Sequence, residues 1–220
     1  KELCDNCLRC PSGNYRSGCG VATLKNDAGA CLECDFGEWK VEGMNSGTYA
    51  TTCKECPTGK YQDLKAEDEC HKCVEGRYAV GPKAVTCDHC PKGKYQVDDG
   101  ADHCTACAVG QYNPNAASSE DTKCIDCGPG TFAKDEGAKS CQFCPVGQFG
   151  VKAGQTACTA CAAGRYNKFP GRSSEDFCLF CPCGKWSVAE STICSDCRAG
   201  RFRTCDFGHK ECDGGKHGDD

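Results

Sequence analysis

The chain carries 27 Cys in 220 residues, about one in eight. Sulfur at that density can do three kinds of chemistry. Thiolates bind zinc, a thiolate of lowered pKa acts as nucleophile or redox centre, and paired sulfurs form structural bridges. Spacing helps to separate the three. The motif C-x-x-C recurs with its second Cys at 10, 34, 56, 73, 90, 107, 127, 144, 161, 181 and 197. Three residues after each lies a Gly, from Gly13, Gly37 and Gly59 to Gly184 and Gly200. Five residues after each lies an aromatic: Tyr15, Trp39, Tyr61, Tyr78, Tyr95, Tyr112, Phe132, Phe149, Tyr166, Trp186 and Phe202. The pattern C-x-x-C-x-x-G-x-[YFW] therefore holds at all eleven places, in a chain only 8% aromatic. A redox C-x-x-C is a single motif at a helix start, and eleven of them in Gly-rich turns do not describe that chemistry.

Zinc and disulfides remain. C-x2-C-x13-C-x2-C lies near the spacing of four-Cys zinc sites. Zinc would close the C-x-x-C pairs in twos, yet nothing alternates between odd and even repeats. His71, His89 and His103 flank Cys in three consecutive repeats only, and Cys212 and His217 stand in the tail without partners. Disulfides are the favoured reading. Cys56 and Cys70, Cys73 and Cys87, Cys90 and Cys104, and Cys127 and Cys141 share one separation. Cross-linking a loop of that size is worth roughly 3 kcal/mol in the chain-entropy model. Spacing does not fix connectivity, so the pairing is a choice: the second Cys of each motif joined to the first Cys of the next. That gives Cys34–Cys53, Cys56–Cys70, Cys73–Cys87, Cys90–Cys104, Cys107–Cys124, Cys127–Cys141, Cys144–Cys158, Cys161–Cys178 and Cys181–Cys194. Cys10–Cys31 extends the series, and Cys197 would close on Cys205 or Cys212. Cys4, Cys7, Cys19 and Cys183 are left over, and an odd total leaves at least one thiol free or bonded outside the chain.

The elements that must hold these sulfurs are small. From Cys56 the second-Cys positions step by 17, 17, 17, 20, 17, 17 and 20, and the segment from Cys104 recurs 54 residues on at Cys158. An ancestral block of three repeats, later duplicated, would leave that pattern. No apolar helical period runs through any full window. KYQV (94–97) and RYAV (77–80) read as short strands, and Gly100, Gly137 and Gly154, each four residues before a Cys, suit left-handed turn positions. The expected fold class is small, disulfide-rich and mostly irregular, with short β-hairpins stacked into an elongated tandem-repeat rod lacking a conventional hydrophobic core. Each repeat is expected to touch mainly its neighbours. The stacked strands would span on the order of 100 Å, against a radius of gyration of about 17 Å for a compact chain of this length. The divisions expected are 1–52, irregular Cys-rich repeats; 53–197, the regular array; and 198–220, a degenerate last repeat and a Gly- and Asp-containing tail.

Composition narrows the functions. Met occurs once and large aliphatics are scarce, so covalent links must oppose chain entropy in place of an oily core. No run of eighteen apolar residues is present to cross a membrane. Lys1 reads as a processed or truncated start. A net charge of −5 argues against nucleic acid as a partner. Stacked hairpins offer grooves rather than a cavity with convergent polar groups, so the chain is expected not to be an enzyme and to use no cofactor. Glu67–Asp68, Asp98–Asp99 and Glu175–Asp176 read as solvated charge in turns. Asp98, Asp99 and Asp102 form at most a weak calcium site, sparser than a dedicated loop. Lys168 and Arg172 beside Phe169 read as an exposed loop with some capacity to bind. No N-x-S/T sequon occurs, and O-linked sugars have acceptors in Thr51, Thr52, Ser118, Ser119, Ser173 and Ser174.

CPTGKYQ (56–62), CPKGKYQ (90–96) and CPVGQFG (144–150) resemble the cysteine-rich modules of tumour necrosis factor receptors, and still more the ephrin-receptor-like cysteine-rich repeat. There C-P-x-G-x-Y opens a small disulfide-closed loop and the next C-x-x-C begins the following one. The resemblance extends over roughly residues 7–204 and implies an extracellular or cell-surface setting. Such repeats occur in receptor ectodomains, adhesion proteins, matrix proteins and protist surface coats. The function expected is that of a structural or adhesive repeat protein in a surface appendage, filament or matrix. It would work through contacts with other proteins, copies of itself included. The alternative is a receptor ectodomain that binds a protein ligand along its side.

Overall fold

The structure, a computed structural model, describes residues 14–16, 31–41 and 52–198. Cys10, Phe202, Cys205, Cys212 and the side chains of Tyr15 and Cys31 lie outside the described residues. So do the expected Cys10–Cys31 bridge and the closure of Cys197.

Local structure follows from the Gly that trails each C-x-x-C. In the repeat that begins at Cys73, the Arg77 N–H donates to the Val74 carbonyl at 3.1 Å and closes a four-residue turn. Its third residue, Gly76, has φ 74°. That turn class needs a left-handed residue there, and Gly adopts it without steric cost. Lys60 to Pro57 and Gln148 to Pro145 repeat the closure. The chain leaves the turn as the strand Arg77–Tyr78, loops back, and pairs antiparallel with Asp88–His89. Every sheet among the described residues is two-stranded and joins consecutive strands. The strands are shorter than RYAV and KYQV suggest, ending at Tyr78 and Tyr95. The reason is that the next residue turns its N–H away from the hairpin: Ala79 donates to Ala101 and Gln96 to Ser118, both one repeat on. In the two longer repeats the loop holds a three-residue 3-10 turn, Asp121–Lys123 and Glu175–Phe177.

The chain divides into two compact units. One contains residues up to Pro91 with Tyr95–Thr105 and Ala116–Asp121; the other contains Lys92–Lys94, Ala106–Asn115 and the residues from Thr122 on. Within each unit the same backbone bonds join adjoining repeats. Between the repeats opened by Cys56 and Cys73, Cys73 N–H donates to Gly59 O, Gly59 N–H to Ala79 O, Gln62 N–H to Ala84 O and Lys83 N–H to Cys56 O, at 2.8–3.0 Å. In the other unit, Cys161 donates to Gly147, Gly147 to Asn167, Gly150 to Arg172 and Gly171 to Cys144 at 2.8–2.9 Å. These bonds satisfy backbone groups that a two-residue strand leaves open.

Contacts reach one repeat further than expected. A Cβ on Gly59 would lie 1.9 Å from the carbonyl oxygen of Gly100, two repeats along, and one on Gly93 would lie 2.0 Å from that of Gly137. The two glycine columns are therefore coupled: one turn has no side chain because another turn's carbonyl occupies that space. The buried set is chiefly Cys, with Ala79, Ala133 and Phe149.

A second column follows the aromatic. Gln62, Gln96, Asn113, Asn167 and Ser187 are buried there, and each finds a partner, as burial of a polar group requires. Gln62 and Gln96 donate to the carbonyls of Glu69 and His103 in their own loops. Asn113, Asn167 and Ser187 donate to Lys94, Gln148 and Arg165 in the preceding repeat. At Gly150 this side chain is missing, and Gln155 takes its place. Its amide nitrogen would lie 1.6 Å from a Cβ on Gly150 and donates to Thr131 O at 3.0 Å.

Two outcomes follow for thermal or denaturant unfolding under non-reducing conditions. Gly93→Ala should destabilise by more than ~2 kcal/mol, since strain and a backbone clash coincide. Gly128→Ala, with nothing within 4 Å, should stay within about 0.5 kcal/mol. Gly150→Asn and Gln155→Ala should each destabilise alone, while the double variant recovers at least ~1 kcal/mol of their sum. Simple additivity would contradict the replacement.

Candidate functional site

The chemistry-bearing residues are the cysteines. Among the described residues nine disulfides run in tandem: Cys34–Cys53, Cys56–Cys70, Cys73–Cys87, Cys90–Cys104, Cys107–Cys124, Cys127–Cys141, Cys144–Cys158, Cys161–Cys178 and Cys181–Cys194. Their Cα–Cα separations run from 5.5 to 5.8 Å, the ordinary range for an undistorted bridge. Each ties the start of a hairpin's first strand segment to the start of its second. The first sulfur of most pairs is fully buried. A bridged sulfur has no thiolate to offer a metal or a substrate. Cys197 and Cys183, the latter left without an assigned partner by the spacing, are disulfide-bonded as well; Cys4, Cys7 and Cys19 lie outside the described residues.

Four of the aromatics, Tyr61, Tyr95, Tyr112 and Phe149, sit where one repeat meets the next. Tyr61 packs on the cluster of Cys73, Ala79 and Cys87, and Phe149 on Cys161 and Cys178. These two rings thus cover the bridge of the following repeat. The backbones of Tyr61, Tyr95, Tyr112 and Phe149 form isolated parallel bridges to Ala84, Ser118, Ala138 and Arg172. Trp39, Tyr78, Phe132, Tyr166 and Trp186 are half-buried.

The polar candidates spread over the surface. Asp102 pairs with His103, and that hydrogen bond holds its carboxyl below the usual range. The Phe36 N–H and Lys65 do the same for Asp35, while Glu38 raises the ammonium of Lys83. Among the described residues no three His, Cys, Asp or Glu side chains gather as a metal-binding group, so Asp98, Asp99 and Asp102 are not assembled. Ser118 is buried and cannot carry a sugar, and Ser174 caps the 3-10 turn by accepting from Asp176 N–H. Ser119 is half-buried and Ser173 exposed; Thr51 and the Thr52 side chain lie outside the described residues. Among the described residues no helix is long and apolar enough to cross a membrane.

One surface gathers more than the sequence singled out. The guanidinium of Arg172 lies over Phe169 at 4.9 Å and Phe177 at 4.5 Å, and that of Arg165 over Phe180 at 4.0 Å. Lys168 stands over Tyr166 at 5.5 Å. Phe143 reaches Gly171, where its ring edge would meet a Cβ at 2.9 Å. Sequence reasoning picked out Lys168, Phe169 and Arg172 but missed Phe143, Phe177 and Phe180. The available signal was the pair inside C-x-x-C, which forms a strand in every repeat from Cys70 on, exposed throughout but for the half-buried Ala106. Gln142-Phe143 and Leu179-Phe180 put large apolar groups there.

A family model described as tyrosine-protein kinase ephrin type A/B receptor-like matches residues 78–124, 115–154 and 130–178. Thyroglobulin of Mus musculus is 32% identical over 73 residues, which make up 33% of this chain and 2% of that protein. The chain therefore spans only a small fraction of that relative's length. With nine bridges in tandem, hairpins of two to four residues per strand and these likenesses, the chain is a disulfide-rich, cysteine-rich repeat protein similar over residues 78–178 to ephrin-receptor-like repeats.

Proposed function

We propose that the chain is an extracellular repeat protein that works through protein–protein contacts, as a structural or adhesive component of a surface appendage, filament or matrix. The tandem disulfides carry this reading. They replace an apolar core, and they persist where the compartment is oxidising. Exposed side chains such as Phe143 and Val80 then remain free for contacts because the fold does not need them inside. The ephrin-receptor-like match and the likeness to thyroglobulin support an extracellular setting. We propose 53–197 as the working array, with 1–52 and 198–220 as flanking segments. The half-buried aromatics act as joints between repeats, and the chain needs no cofactor and catalyses no reaction.

A receptor-type ectodomain is the second reading, supported by the description of the matched family. Sedimentation velocity on the native chain separates the two. A structural component should shift to larger species across the micromolar range. A chain that stays monomeric at every concentration and sediments with a soluble protein ligand would overturn the structural role in favour of the receptor. Reduction should abolish either behaviour together with the fold.

A further inference from the structure

The stretch from Gly137 to Ser174 contains Lys139, Lys152, Arg165, Lys168 and Arg172 and no Asp or Glu, and Glu175 and Asp176 follow it directly, in a chain whose acidic residues outnumber its Lys and Arg by 31 to 26. Lys139, Lys152, Lys168 and Arg172 have no ion-pair partner among the described residues, and Arg165 has a long one in Glu175, at 3.4 Å. Beside these cations the chain leaves large rings in water. Phe143 is 71% exposed, Phe169 59%, and Phe177 and Phe180 41% each. Contacts connect them: Phe143 to the Gly171 turn, Arg172 over Phe169 and Phe177, Glu175 to Arg165, and Arg165 over Phe180. The Arg172 Nε is buried without an acceptor. The ring contacts hold the guanidinium in place, and a guanidinium is the side chain best suited to bind a carboxylate bidentately.

We propose that this face, Phe143, Arg165, Lys168, Phe169, Arg172 and Phe177, docks an acidic polypeptide segment that carries an aromatic or branched apolar side chain. It rests on the reading of the chain as a protein-contact module and names the partner's chemistry. Charge complementarity sets the sign of the partner. The rings set its class: phenyl groups gain by removing apolar surface from water, and a sulfated polysaccharide has little apolar surface to give them. Arg and aromatic side chains at one point are also the composition of an interface hot spot.

The test uses the full oxidised chain and fluorescence polarisation with three probes: a labelled glutamate–tyrosine copolymer, poly-glutamate and heparin. The copolymer should bind at least about ten-fold tighter than poly-glutamate, a difference of ~1.4 kcal/mol, and should weaken as salt rises. Phe143→Ser with Phe169→Ser should remove the copolymer's advantage. Lys168→Glu should weaken both acidic polypeptides several-fold. Non-reducing peptide maps of the variants verify that the bridges are intact. Heparin binding as tightly as the copolymer, copolymer affinity unchanged in both variants, or the face being occupied by a second copy of the chain would each overturn the proposal. Assembly seen in sedimentation without copolymer binding would overturn the docking chemistry while leaving the contact-module reading in place.

Discussion

The interaction on which the rest depends is the bridge between the second Cys of one C-x-x-C and the first Cys of the next. Take Cys73–Cys87, whose cysteines stand 14 positions apart around a hairpin with two residues in each strand. Such a hairpin has too few ladder bonds to be stable in water. The bridge limits the unfolded alternatives, and its sulfurs are also the buried apolar matter on which Tyr61 packs. Covalent link and core are thus the same atoms. A chain poor in large aliphatics can hold its shape in this way.

Around the bridge, the two glycine columns and the junction bonds form one constraint. The N–H of the residue ten after Cys73, Lys83, must reach Cys56 O, and this fixes Lys83 at φ 60° even though it is not Gly. Ala66, Ala117 and Glu190 occupy the same place with positive φ, while Gly100, Gly137, Gly154 and Gly171 fill it elsewhere. The left-handed turn is therefore imposed by the neighbouring repeat rather than chosen by its own residue. From Gly37 to Gly147 the glycines three after the Cys have no such latitude, because another repeat's carbonyl stands where their Cβ would be, whereas Gly184 meets nothing within 4 Å. Sequence variation is tolerated in one column and not in the other for this geometric reason.

These differences explain what was legible in the sequence. A small disulfide-rich repeat fold with short hairpins could be read because it depends on one residue type at each of a few positions: Cys, Gly and an aromatic, recurring in phase. Strand ends were not legible, because Ala79 and Gln96 direct their N–H groups to residues in the following repeat. The buried amide column was visible only as a loose run of Gln, Asn, Ser, Ala and Gly after the aromatic. Its chemistry became clear once Asn113 and Asn167 were seen donating to the preceding repeat. Gln155 standing in for a side chain absent at Gly150 could not be inferred at all, because the two positions belong to different columns. The surface around Arg172 was half legible: Lys168, Arg172 and Phe169 share one loop, but Phe143 comes to them from two repeats before.

Peptide mapping of the native protein by mass spectrometry without reduction tests the account most directly. It predicts cross-linked peptides joining Cys56 to Cys70, Cys73 to Cys87, Cys90 to Cys104 and Cys127 to Cys141, with the Cys107–Cys124 and Cys161–Cys178 loops longer by three residues. Bridges closed within single C-x-x-C motifs, or these same cysteines alkylated as free thiols in the folded protein, would contradict it.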